Sequence, residues 1–92
     1  MRNTNYFKQK KITIVGLGRS GLACANLLYD LGAKVSITDN HDSASTRSNA
    51  LRLKAKHIVL ELGRHTPEFI RDKDLLVVSP GVPDSTPVIA WA

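Results

Sequence analysis

An apolar run that ends in three spaced glycines leaves few folds open to this chain. Residues 12–21 read Ile-Thr-Ile-Val-Gly-Leu-Gly-Arg-Ser-Gly, with Gly16, Gly18 and Gly21 in the spacing G-x-G-x-x-G. The run before the first glycine reads as a buried strand and the residues after it as a helix, so the glycines mark a sharp strand-to-helix turn. Gly16 allows the tight turn, Gly18 leaves room for a phosphate against the backbone, and Gly21 lets the helix pack closely on the strand. The backbone amides of Arg19 and Ser20 then lie at the positive end of a helix dipole, where a diphosphate can be held.

The rest of the chain repeats the alternation. Strands are expected at Lys11–Val15, Lys34–Thr38, His57–Leu62 and Leu75–Val78, the first and last buried. Helices are expected at Ser20–Leu31, at about Ser45–Lys56, and from Thr66 to near Lys73. The first helix places Cys24, Leu28 and Leu31 on one face and stops at Gly32. The second has a weak apolar face (Ala50, Leu51, Leu53), with Asp42 or Ser43 as its cap. The third opens on Thr66-Pro67-Glu68: a cap, a proline at the first helical position and an acid in the first turn.

A β-α-β-α-β-α-β order of parallel crossovers gives an α/β, Rossmann-like sheet in the order 3-2-1-4, with ligands at the carboxyl ends of its strands. Thr86-Pro87 begins a further helix that Ala92 cuts short, so the chain reads as a truncated piece of a longer protein. Residues 1–92 are expected to be one domain, with 1–10 as a basic lead-in.

Composition removes other classes. The net charge is +5, but the basic residues are scattered and not interleaved with aromatics, so nucleic-acid binding is not expected. No apolar stretch has the length of a membrane span, and the polar N-terminus is no secretory signal, so a cytoplasmic protein is expected. Cys24 is the single cysteine and reads as a small core residue. His41, His57 and His65 have no ligand spacing with one another, and no metal site is expected. Neither a nucleophile elbow nor an ATP phosphate loop is present, so no catalytic residue is assigned.

Two further features carry chemistry. Asp39 ends the second strand, where an acid accepts hydrogen bonds from ribose hydroxyls and disfavours a 2′-phosphate. The alternative reading is a turn residue or helix cap. Ser79-Pro80-Gly81-Val82 ends the fourth strand beside the first, and Gly81 lets backbone approach a ligand from across the glycine loop. An ordinary strand-to-helix turn explains that segment equally well.

Val-Gly-Leu-Gly-Arg-Ser-Gly at 15–21, Ile-Thr-Asp-Asn at 37–40 and Val-Val-Ser-Pro-Gly-Val at 77–82 together resemble the N-terminal domain of the Mur ligases, over about residues 10–92. The nearest resemblance is to the branch that adds D-glutamate to UDP-N-acetylmuramoyl-L-alanine in peptidoglycan biosynthesis. The resemblance implies a domain that binds the UDP of that substrate. The backbone of Arg19 and Ser20 would meet the diphosphate, Gly81 would approach from the fourth strand, and Asp39 with Asn40 would read the uracil ring. The next position, sometimes arginine in the family, is His41 here, and Gly63-Arg64-His65 looks like the family's Gly-x-His turn. It also implies that ATP, Mg²⁺ and D-glutamate are bound by central and C-terminal domains absent from this chain. The whole would be a cytoplasmic, monomeric enzyme of cell-wall growth and division, and this piece inactive alone. The glycine loop and Asp39 also fit a regulatory NAD-binding module of the potassium-transporter type. The Ser-Pro-Gly ending of the fourth strand separates the two.

Overall fold

The computed structural model describes residues 6–55, 58–80 and 82. Its elements run β1 (Lys11–Val15), α1 (Arg19–Asp30), β2 (Lys34–Asp39), α2 (Ala44–Leu51), β3 (Val59–Leu62), α3 (Pro67–Ile70) and β4 (Leu75–Val78). The four strands form one parallel sheet in the order β3-β2-β1-β4, as the alternation requires.

β1 is central, and Ile12, Thr13, Ile14 and Val15 are wholly buried. Its register against β2 pairs Ile12 with Val35 and Val15 with Thr38. A one-residue slip would break the buried hydroxyl pair of Thr13 and Ser36, whose oxygens lie 2.8 Å apart. At the other side Asp74 clamps the start of β1: its carboxylate accepts from the Lys11 amide at 2.8 Å, and its own amide donates to the Lys11 carbonyl at 2.7 Å.

The core lies between the sheet and α1, where Leu22, Ala25 and Leu28 meet Ile12, Ile14 and Ile37. The buried face of α1 is therefore Gly21, Leu22, Ala25 and Leu28 rather than the Cys24, Leu28, Leu31 row. Cys24 sits at the margin of the core and Leu31 is the C-cap. The helix stops as expected at Gly32, whose φ of +89° a side chain rarely adopts. The Gly32 amide donates to the Tyr29 carbonyl and the Ala33 amide to that of Leu28, the paired bonds of a Schellman stop.

The other elements depart from expectation where apolar patterning is weak. α2 ends at Leu51, not near Lys56, and buries only Thr46. Leu51 is 77 % exposed, whereas Leu53, beyond the helix, is buried. Ser43 caps α2 in a reciprocal capping box with Thr46. β3 begins at Val59, and His57 lies outside the described residues. α3 is a single turn that ends at Ile70, short of Lys73. β4 is an edge strand, half-buried rather than buried. The helix expected from Thr86 lies outside the described residues.

Candidate functional site

Each strand ladder runs one rung past its strand at the carboxyl edge of the sheet. The Gly16 amide donates to the Thr38 carbonyl at 2.8 Å, the Ser79 amide to that of Val15 at 2.9 Å, and the Gly63 amide to that of Asp39 at 2.9 Å. The loops after all four strands are thereby held close together at one edge.

The glycine loop is fixed from three sides. The Leu17 amide donates to Asp39 Oδ2 at 2.6 Å, its carbonyl accepts from Asn49 Nδ2 of α2 at 3.0 Å, and Ser79 Oγ donates to the Gly16 carbonyl at 3.2 Å. Gly16 has φ +103°, and a Cβ there would lie 3.0 Å from the Ser79 side chain. A Cβ on Gly21 would fall 2.0 Å from the Gly16 carbonyl oxygen. These two glycines are demanded by the packing of loop, helix and β4. Gly18 differs: among the described residues, its chain neighbours aside, no atom lies within 4 Å of a Cβ built there. It is the N-cap of α1 and offers no side chain to the amides of the first turn. Those amides, Arg19 and Ser20 among them, are available to an external acceptor.

A cavity of about 530 Å³ opens over this helix start. Gly16, Gly18, Arg19 and Ser20 form one wall, Asp39, Asn40 and His41 a second, and Ser79, Pro80 and Val82 a third. His65, from the turn between β3 and α3, also lines it. The volume and the polar backbone on one wall suit a nucleotide-sized ligand. Gly18 and Arg19 also border a second hollow, with Ser45, Ser48, Asn49 and Arg52. Of the residues expected to form a site, Gly16, Gly18, Arg19, Ser20, Asp39 and Asn40 come together here, while Gly81 lies outside the described residues.

Asp39 is more than a wall. It is the last residue of β2, one past the strand's expected end at Thr38, and is 8 % exposed. Oδ2 holds the Leu17 amide, Oδ1 accepts from the His41 amide at 2.7 Å, and its carbonyl holds Gly63. One residue thus ties the glycine loop to the β2 and β3 loops. The His41 ring, 79 % exposed, lies 3.4 Å from Oδ1. The carboxylate thus fills the turn role that the sequence allows, in a residue that also lines the cavity.

Three features escape a reading of the sequence. Asn49 reaches the loop from a helix with almost no apolar face. Ser79 contacts the loop through its side chain as well as its backbone. The third is a polar cluster: Thr38 Oγ1 lies 2.8 Å from His65 Nδ1 and 3.1 Å from Glu61 Oε1. Thr66 donates to the same carboxylate from its amide at 3.1 Å and from its hydroxyl at 2.6 Å. Thr66 precedes α3 as expected, but its side chain serves Glu61 and caps nothing. The available signal was a Glu inside otherwise apolar β3 and a Thr beside Ile37 in β2, since polar groups that become buried must find partners.

Among the described residues no group of three or more His, Cys, Asp or Glu side chains is placed to hold a metal ion, and no helix is long and apolar enough to cross a membrane.

Comparison with known proteins agrees with the geometry. Residues 10–92 match the family model described as Mur ligase MurD-like, N-terminal domain. Similar proteins named UDP-N-acetylmuramoylalanine–D-glutamate ligase include one from Koribacter versatilis, 42 % identical over 83 residues (90 % of this chain, 18 % of that protein). Another, from Geotalea daltonii, is 45 % identical over 83 residues (89 % of this chain, 18 % of that protein). A third, from Halalkalibacterium halodurans, is 36 % identical over 92 residues (100 % of this chain, 20 % of that protein). The chain thus spans about a fifth of the length of these curated relatives. With its glycine loop, parallel sheet and matched residues 10–92, the chain belongs to the MurD-like N-terminal domain family of Mur ligases.

Proposed function

We propose that this chain is the part of a D-glutamate-adding ligase that anchors the UDP of UDP-N-acetylmuramoyl-L-alanine. The observation that carries the reading is the open start of α1: Gly18 faces a nucleotide-sized cavity, and among the described residues no other part of the chain comes near where a side chain would stand. In this reading the diphosphate accepts from the Arg19 and Ser20 amides, and the uridine lies toward Asp39 and Asn40. The family resemblance adds Gly81, outside the described residues, to the groups that bind UDP. The names of the similar proteins support the substrate. The chain contributes binding and orientation. The ATP and Mg²⁺ of such a reaction, and the attacking D-glutamate, belong to parts of the enzyme beyond these residues, and the whole acts as a monomer in the cytoplasm.

The test is a titration with UDP followed by amide NMR. The Arg19 and Ser20 amides are expected to shift most among the loop residues, and NADH is expected to bind more weakly than UDP. Gly18→Val fills the open space, so it should cut UDP affinity at least about tenfold while the fold remains. Unmoved Arg19 and Ser20 amides at saturating UDP, or full affinity in Gly18→Val, would place the diphosphate elsewhere.

A further inference from the structure

The glycine that leaves room for a ligand at the start of α1 also leaves the backbone there loose. Gly18 lies at φ −92° and ψ −162°. Turning the Leu17–Gly18 peptide over would carry that φ to positive values, which glycine adopts about as readily as negative ones. The rest of Leu17 is held: its side chain is buried, and its amide donates to Asp39 Oδ2 at 2.6 Å. Its carbonyl is the part left to turn. Asn49 of α2 holds that carbonyl, donating from Nδ2 at 3.0 Å. A carbonyl can only accept, so the nitrogen of the Asn49 amide must be the atom that faces it.

The direction in which this carbonyl is held matters for an anionic ligand. Gly18 borders both hollows. Asn49 lines the second with Ser45 and Ser48, whereas among the described residues none of α2 lines the larger cavity. The Leu17 carbonyl is therefore kept on the α2 side of the loop. In the reading above the diphosphate lies in the larger cavity, where its oxygens accept from backbone amides. A carbonyl turned to that side would bring a second acceptor against them and repel. The docking of α2 does not depend on this bond. Asn26 of α1 donates to the Arg52 carbonyl at 3.3 Å and accepts from the Lys54 amide at 2.8 Å, and Lys54 Nζ meets Asp30 at 2.6 Å. We propose that Asn49 is a positioning residue for diphosphate binding, which supplies the restraint that Gly18 lacks and keeps an acceptor oxygen off the cavity side of the loop. The inference rests on the UDP reading above and deepens it.

The experiment uses the full-length protein with Asn49→Leu, which keeps the size and charge of the side chain and removes its donor, and with Asn49→Ala as a second variant. UDP affinity, by calorimetry at a temperature where melting curves show each variant folded, should fall at least about tenfold in both. In steady-state turnover the KM for UDP-N-acetylmuramoyl-L-alanine should rise by a similar factor, and the KM for ATP by less than about twofold. A readout that needs no variant is the side-chain amide of Asn49 in the wild type. Coupling is reciprocal, so its hydrogen-bonded proton should exchange more slowly at saturating UDP. A merely structural asparagine would lower the thermal midpoint on substitution and move both KM values together. That result, unchanged UDP affinity in both variants, or no slowing at the Asn49 amide overturns the inference while the UDP reading stands. A wild type that binds no UDP overturns the UDP reading and this inference together.

Discussion

Asp39 shows how a site can be built from a residue that also holds the fold. Its two carboxylate oxygens take the amides of Leu17 and His41, and Leu17 is itself a buried core residue. Removing the carboxylate leaves a buried N–H without its charged acceptor, a loss of about 2 kcal/mol. Asp39→Ala should therefore lower the melting temperature by on the order of 10 °C in a domain this small. A carboxylate that only faced a ligand would lose ligand affinity on substitution without losing stability. An unchanged thermal midpoint would restore that simpler view. Cys24 makes a second residue-scale case. Burial at the margin of the core pushes its thiol above the usual range, which depletes the reactive thiolate at neutral pH. Alkylation of Cys24 in the folded protein should be slower than in the denatured chain and should accelerate as pH is raised.

At the scale of elements, what could be read in advance follows apolar patterning. β1 and α1 are continuous with a dense core, and their limits and order emerge directly from residues 11–31. α2 carries no such pattern. It is placed by polar links, the Ser43–Thr46 box and the Asn49 bond to Leu17, which spacing rules cannot see because the partners come from other parts of the chain. The site divides in the same way. The glycine loop and Asp39 announce themselves by local sequence, whereas the His65–Thr38–Glu61 cluster arises only when β2 and β3 pair. Two element-scale predictions follow from these contacts. Gly21→Ala would place a methyl 2.0 Å from the Gly16 carbonyl, so α1 must move off its loop. It should cost more than about 3 kcal/mol, read by chemical denaturation, where ordinary helical Gly→Ala changes stabilise. The start of α2 should respond to acid. Arg47 hydrogen-bonds Asp42 through two nitrogens, and that bond chiefly holds the carboxyl below its usual value. A lowered folded value means the contribution is present above the unfolded value and lost as pH falls through the folded one. Amide exchange at residues 43–47, corrected for intrinsic rates, should therefore rise in that acid window and not between neutral and mildly acidic pH. The effect should be small, because the pair is on the surface.

Across the whole molecule the walls of the cavity have unequal support. The glycine loop springs from central β1 and is bonded to β2, the two strands with the most buried residues. The β3 side of the cavity, lined by His65, hangs on an edge strand where Val59 is 60 % exposed and on α3, which buries nothing. Local opening follows buried contact, so amides of β1 and β2 should exchange with solvent slowest and those of residues 59–71 among the fastest. A ligand that touched only the glycine loop would stabilise the protein through its global unfolding and raise protection in the slowest amides alone. A ligand that also engages His65 must hold the 63–66 turn in place, since that histidine is fixed to the sheet through Thr38 and followed by Thr66 on Glu61. Saturating UDP should then slow exchange at residues 63–66 by a larger factor than at β1, read by exchange mass spectrometry or NMR. Equal slowing everywhere would mean that the base makes no contact with the β3 side, and that the edge wall is a bystander to a site carried by β1, β2 and the start of α1.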